Sequence, residues 1–197
     1  MTPLPPGPFA CVLADPPWSF LTWSGKTGTP HRTPDDHYGT MSAAELRALP
    51  VAGACAKHAA LFMWAVDSHL DSAIRLGEAW GFSFKTIAFI WTKLLASPDQ
   101  FGFFPPEPRH RIGMGYWTRK QAEVCLLFTR GAPKRLDKGV RQIIASPRRE
   151  HSRKPDEQYE RIESLVAGPY LELFARQTRP GWAVWGNETG KFNAEAA

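Results

Sequence analysis

The residues best suited to chemistry in this chain of 197 residues stand in one run, Asp15-Pro16-Pro17-Trp18, directly after the apolar stretch Phe9-Ala10-Cys11-Val12-Leu13-Ala14. A buried strand that ends in aspartate sets a carboxylate at the carboxyl edge of a sheet. The two prolines fix the backbone behind it and carry no N–H, so their carbonyls are expected to be available as acceptors. Trp18 adds a flat π-face. Acceptors beside an aromatic plate are the parts needed to grip an aromatic amine. The same four residues also fit a strand-to-loop turn with a buried tryptophan.

The elements that would position this run alternate between apolar and amphipathic stretches, which predicts a sheet covered by helices, a three-layer α/β domain. Strands are predicted over 9–14, 59–66, 84–91, 123–129, 170–175 and 182–185. Ser42 and Glu45 have capping-box spacing at the start of a helix running to Ala48. A second helix is predicted over 68–80 with Leu70, Ile74 and Gly77 on one face, stopped at Gly81. A third opens with Pro155 at its first position, has Asp156 and Glu157 in its first turn, carries Tyr159, Ile162 and Leu165 along one face and closes at Gly168. The stretches 93–120 and 130–154 lack periodicity and are predicted as loops at the strand ends, where such folds bind ligands.

Composition excludes several classes. No run of eighteen apolar residues is present, and the first seven residues have neither a basic start nor an apolar middle. Eight Trp and twelve Phe argue against disorder. Three separated cysteines, Cys11, Cys55 and Cys125, read as reduced core thiols without metal-ligand spacing. The expectation is a single domain over 1–197, cytoplasmic, with no membrane partner and no bound metal. The net charge of +5 is uneven: 134–154 holds eight Lys or Arg against two acids. A second basic stretch covers Arg109, His110, Arg111, Arg119 and Lys120. Composition alone does not choose between solvated loops and a footprint for a polyanion. In the middle stretch, Phe101, Phe103, Phe104, Tyr116 and Trp117 add stacking surfaces to that charge. Such a mixture fits single-strand or flipped-base sites, or an insertion around a partly buried aromatic cluster.

Asp15-Pro16-Pro17-Trp18 is similar to the catalytic signature of amino-methyltransferases acting on adenine N6. The rest of the chain resembles one branch of them, the family of the messenger-RNA N6-adenosine methyltransferase catalytic subunit with its bacterial and phage DNA relatives. Matching landmarks follow in order: His37-Tyr38-Gly39-Thr40-Met41-Ser42, Leu61-Phe62-Met63-Trp64, Ile90-Trp91-Thr92-Lys93, and the stretch from Gly115 to Arg130 with Glu123 at the start of its strand. Arg149-Glu150-His151-Ser152-Arg153-Lys154-Pro155-Asp156-Glu157, Glu172-Leu173-Phe174-Ala175-Arg176, Gly181-Trp182 and Gly186-Asn187-Glu188 complete the set.

The resemblance implies a Rossmann-like class I methyltransferase fold in permuted order, the catalytic strand first and the cofactor-binding strands last. It also implies S-adenosylmethionine as cofactor, a nucleic-acid substrate, DNA ahead of RNA, and base flipping where that substrate is duplex. Asp15, Pro16, Pro17 and Trp18 would be catalytic. Asp15, Lys154, Glu172, Phe174, Arg176, Asn187 and Glu188 would hold the cofactor, with Lys154 at its methionine carboxylate. His37, Tyr38, Lys93, Tyr116, Trp117, Arg119, Arg148 and Arg149 would meet the substrate. From charge alone, Lys154 fits plain solvation equally well, and Glu172 on an apolar strand must meet a ligand or Arg176. Three features depart from the pattern. Fourteen residues precede Asp15, which leaves no equivalent of upstream cofactor contacts; Gln177-Thr178-Arg179 replaces a His-Asn pair; and no target-recognition domain is visible, which points to relaxed sequence specificity. A non-catalytic nucleic-acid-binding subunit is the other reading, and the intact motifs weigh against it.

Overall fold

The structure is a computed structural model that describes residues 2–18, 41–95, 110–113, 117–150 and 153–193. Its strands are β1 (Phe9–Ala14), β2 (Cys55–Ala65), β3 (Ser83–Leu94), β4 (Ala122–Arg130), β5 (Ile143–Pro147), β6 (Tyr170–Leu173) and β7 (Trp182–Trp185). The helices are α1 (Ala43–Ala48), α2 (Val51–Ala54), α3 (Leu70–Ala79) and α4 (Glu157–Leu165). All seven strands form one sheet, in the order β5-β3-β4-β2-β1-β6-β7.

The period of two along β1 builds the layers. Cys11 and Leu13 join Tyr159 and Ile162 of α4 in one buried cluster. Val12 and Ala14 join Leu46 of α1 and Ala73 and Leu76 of α3 in another. A strand covered on both faces must be apolar throughout, which is why β1 and the second half of β2 are unbroken apolar runs. This is the three-layer Rossmann-like α/β arrangement.

Two features of the sheet place the site. β1 runs parallel to β2 on one side and to β6 on the other, with Leu13 beside Glu172 and Ala14 beside Leu173. The chain continues from β2 toward one edge and from β6 toward the other, so a crevice opens outside the carboxyl ends of β1 and β6. Strand β4 is antiparallel to both β2 and β3. Its start therefore lies at the carboxyl end of its neighbours, with Val124 opposite Ala65 and Glu123 opposite Trp91. That reversal brings Glu123 to the same edge as Asp15.

Local chemistry explains most element ends. Ser42 caps α1, with Glu45 N–H donating to Ser42 Oγ at 3.2 Å and Ser42 N–H donating to Glu45 Oε2 at 2.8 Å. Other boundaries differ from expectation. β2 starts at Cys55, and a 3₁₀ turn over Asp67–His69 precedes α3. Asp156 occupies the cap of α4, so Pro155 lies before the helix rather than at its first position. The helix ends against Val166, short of Gly168, and β6 stops at Leu173. The segment 130–154 is not loop throughout, because β5 forms within it and pairs parallel with β3. In 93–120, β3 reaches Leu94, and bridges join Leu94 to His110 and Gly113 to Lys120.

Gly77 of α3 lies against Phe128 of β4: an added β-carbon would stand 2.4 Å from Phe128 Cε1. Phe128 is fully buried and has nowhere to move. Gly77→Ala is expected to gain about 1 kcal/mol of helix propensity. It should still lose about 1–3 kcal/mol net through overpacking, read as a lower denaturation midpoint.

Candidate active site

The last residue of β1 hands the chain to Asp15, whose Oδ2 accepts from Lys154 Nζ at 2.7 Å. Lys154 also lies 3.5 Å from Glu123 Oε2 and 5.6 Å from the centroid of the Trp64 ring. Glu123 in turn bonds Lys93, which stacks over Trp91 at 4.9 Å. Two carboxylates and two ammoniums thus alternate along the carboxyl edge: Asp15, Lys154, Glu123, Lys93. Burial opposes the charge on Lys154, but the Asp15 and Glu123 carboxylates outweigh it and hold its pKa above the ordinary lysine value. Burial likewise pushes Glu123 up, and the Lys154 and Lys93 ammoniums reverse this, bringing it down to about 2. Asp15 Oδ1 has no hydrogen-bond partner among the described residues.

At the other wall of the crevice, Glu172 of β6 accepts from the Tyr159 hydroxyl, at 3.1 Å and 3.0 Å to its two oxygens. Gln177 Nε2 donates to Tyr159 Oη at 3.3 Å and to Asp156 Oδ1 at 3.2 Å. Arg149 Nη1 donates to Asp156 Oδ2 at 2.6 Å, and its Nη2 donates to the Lys154 carbonyl at 3.1 Å. Burial raises Glu172 to about 7, helped by the charges of Asp15 and Asp156 and opposed by the Tyr159 hydrogen bond and Arg179. Phe174, just past β6, adopts φ 62°, a left-handed conformation that costs energy for a bulky residue and recurs at functional sites. The Ala175 N–H bond to the Trp185 carbonyl at 3.0 Å and an edge-on contact of Phe174 with Trp185 hold it there. Gly186 completes the turn, since a β-carbon on it would lie 2.8 Å from the Ala175 carbonyl oxygen. Asp15, Trp64, Lys154, Glu172, Phe174 and Arg176 line a cleft of ≈ 390 Å³, open space included. The lining holds both acceptors, the Asp15 and Glu172 carboxylates, and donors, the Lys154 ammonium and the Gln158 amide, a mixture that suits a polar ligand.

The profile of the family described as MT-A70 matches residues 9–188 of this chain. The chain belongs to the MT-A70 family. It is 31% identical to the Type II methyltransferase M.MunI of Mycoplasma sp, over 94% of this chain and 79% of that protein. It is 32% identical to the N(6)-adenosine-methyltransferase MT-A70-like protein of Drosophila melanogaster, over 92% of this chain and 27% of that protein. For the N(6)-adenosine-methyltransferase catalytic subunit of Homo sapiens the values are 29%, 92% and 28%. This MT-A70 domain therefore spans most of the Mycoplasma protein and about a quarter of the eukaryotic ones.

Several residues expected at the MT-A70 site stand elsewhere or do other work. The prolyl carbonyls are engaged: Pro16 accepts from Trp18 N–H at 2.9 Å and Pro17 from Met41 N–H at 3.1 Å. Each carbonyl retains one lone pair. Trp18 is 7% exposed and packs in the cluster under α1 and α3, so its ring is no open plate. Glu172 meets Tyr159 rather than Arg176, which pairs with Glu188 at 3.8 Å. Lys93 is tied to Glu123, and Arg149 donates to the Lys154 carbonyl and to Asp156. Trp117, Arg119 and Arg148 are exposed, and Asn187 is an exposed residue beyond β7. His37, Tyr38 and Tyr116 lie outside the described residues. Sequence reasoning missed Gln158 and the roles of Tyr159 and Gln177. The apolar period assigned Tyr159 to the core, where its ring does lie, and gave no sign that its hydroxyl reaches Glu172.

Among the described residues, no helix is long and apolar enough to cross a membrane.

Proposed function

We propose that this MT-A70 chain transfers a methyl group from S-adenosylmethionine to the N6 amino group of adenine in DNA, with little sequence discrimination. The observation that carries the reading is Asp15: a carboxylate at the switch point of the sheet that lines the cleft, one oxygen fixed by Lys154 and the other without a partner among the described residues. The match to a Type II methyltransferase over 79% of that protein's length supports DNA ahead of RNA.

The cofactor would supply an electrophilic methyl on a sulfonium. Asp15 Oδ1 would accept one N–H of the amine, whose lone pair is otherwise delocalised into the ring, and turn that pair toward the methyl. The remaining lone pair of the Pro16 carbonyl would take the second N–H. As the amine nitrogen takes the methyl and the carbon–sulfur electron pair leaves on sulfur as a thioether, the departing proton would be held at Asp15 Oδ1. Lys154 keeps that carboxylate oriented, so the work of the site is alignment and fixed charge. Glu172 would accept from ribose hydroxyls, and Phe174 and Arg176 would border the adenosine. A duplex adenine must first leave the stack, and Trp117, Arg119 and Arg148, all exposed, would meet the strand.

Glu172 gives a pH signature. A hydroxyl donating to it binds the ionised carboxylate, and the free protein holds its proton up to about pH 7. Affinity for S-adenosylhomocysteine is therefore expected to rise with pH. It should weaken about tenfold from about pH 8 to about pH 6 as the competent fraction falls, with proton release on binding. Glu172→Gln should flatten the profile in calorimetric titrations. The groups facing Glu172 are Tyr159, Asp15, Asp156 and Arg179.

Transfer of labelled methyl from S-adenosylmethionine to matched single-stranded DNA, duplex DNA and RNA tests the reading. DNA as the preferred acceptor supports it. Preference for RNA replaces the substrate, and no transfer together with no cofactor binding removes the enzyme reading.

A further inference from the structure

Gln158 stands in the first turn of α4 and is the one buried polar side chain among the described residues, 3% exposed. Its Oε1 accepts from the Trp64 indole Nε1–H at 2.6 Å. An indole nitrogen can only donate, so the amide cannot turn over without setting two donors against each other. Nε2 must therefore point away from Trp64. No group among the described residues accepts from it, yet the side chain lines the cleft. The residue is almost wholly buried, but this atom is not sealed in, so the donor is free to meet water or a ligand in the cleft.

The surroundings narrow what would satisfy it. Lys154 Nζ lies over the same Trp64 ring, so the Gln158 amide and the Lys154 ammonium share one corner of the cleft. Of the three Lys154 donors, one goes to Asp15, and Glu123 is within ion-pair distance of the ammonium. On the Trp64 side of this corner the Gln158 amide and the Lys154 ammonium are donors, whereas the Glu172 wall presents acceptors. A group that both donates and accepts, such as a ribose hydroxyl, suits Glu172. A group that only accepts suits the Gln158 corner. In the amino-acid end of the proposed cofactor the sulfonium and ammonium accept nothing, and the carboxylate is the acceptor.

We infer that Gln158 is a cofactor-binding residue, its fixed Nε2 donating to the carboxylate of the methionine moiety beside Lys154. This rests on the cofactor reading above and adds a residue that the family's motifs do not mark.

Calorimetric titration of wild type, Gln158→Glu and Gln158→Met with S-adenosylmethionine and with decarboxylated S-adenosylmethionine tests it. Gln158→Glu keeps an acceptor for Trp64 and replaces the donors by carboxylate oxygen. It is expected to weaken S-adenosylmethionine at least about tenfold, while its affinity for the decarboxylated compound stays within about threefold of wild type. Gln158→Met, which leaves the indole unpaired, should show a smaller loss confined to the same ligand. An equal loss on both ligands would make Gln158 a structural residue and overturn the assignment, as would an undiminished affinity for S-adenosylmethionine. Wild type that binds neither compound overturns the cofactor reading itself; wild type that binds both, with a ligand-independent loss in the variants, overturns the role of Gln158 alone.

Discussion

Asp15→Ala is expected to abolish methyl transfer while leaving cofactor affinity within about tenfold, or 1.4 kcal/mol. The asymmetry follows from where the two carboxylate oxygens go. Oδ2 is spent on Lys154 at 2.7 Å, and Oδ1 is the open acceptor at the end of β1. Deleting both removes the group that would orient the amine and receive its proton. A preorganised group of this kind is worth roughly 10²–10³ in rate as a single hydrogen-bond partner, and more where it also holds the proton. Cofactor contacts through Glu172, Phe174 and Arg176 stand on another strand and are not disturbed directly. Lys154 keeps Glu123 as a partner, so the variant retains a compensated ammonium. Asp15→Asn keeps the contact with Lys154 through its one oxygen and turns its NH2 toward the amine, so it should preserve the local structure and be as deficient in turnover as alanine. The Asp15 charge also helps to raise Glu172, so the pH midpoint of cofactor binding should move down in both variants. Transfer by Asp15→Ala near the wild-type rate in a single-turnover assay would contradict the role given to this residue.

How far the sequence reached depends on the kind of information each feature carries. β1 and β2 were legible because a strand buried on both faces must be an unbroken apolar run. α1 was legible because its capping box lies within four residues. β5 was not: Ile143-Ile144-Ala145-Ser146-Pro147 is short, ends in proline and sits among basic residues, and it forms because the edge of β3 accepts it. A terminal proline is tolerated on such an edge strand. The site divides in the same way. Asp15, Lys154, Glu172, Phe174 and Arg176 line one cleft, as the motif order implied. Trp18 misled because the residue type signals a flat ring without saying which side of the sheet receives it; here the core does. Gln158 was invisible, since its partner Trp64 is 94 positions away and a lone glutamine in a helix carries no pattern. Glu123 could be named only as the start of a strand. Its position at the site follows from the antiparallel course of β4, which periodicity does not reveal.

That course is what makes Glu123→Gln the most destabilising of the polar substitutions expected here. Glu123 faces two ammoniums, Lys93 and Lys154, with side-chain exposures of 19% and 12%, and is itself 22% exposed. Removing its charge leaves both cations in a poorly solvated edge, with Asp15 the one carboxylate remaining beside Lys154 among the described residues. Breaking such a pair by deleting one partner costs about 3–5 kcal/mol when fully buried. The ionisation of Glu123 gives a similar figure by a separate route. A carboxyl brought from 4.5 down to about 2 on folding stabilises the folded state by about 3 kcal/mol at neutral pH. The sign follows from the lowered value: this stability is fully present above the unfolded value of 4.5 and is lost as pH falls toward about 2. Wild type is therefore expected to lose stability through that acid window, and Glu123→Gln to start lower at neutral pH and change less on acidification. Denaturant midpoints at several pH values read both effects. The charge chain adds a functional consequence, because Lys154 would then neutralise Asp15 without a second carboxylate drawing it away, and turnover should fall in the folded fraction as well. A variant with wild-type midpoints at neutral pH would mean that Lys93 and Lys154 are solvated well enough to stand without Glu123, and that the alternating charges along this edge contribute little to holding Asp15 in place.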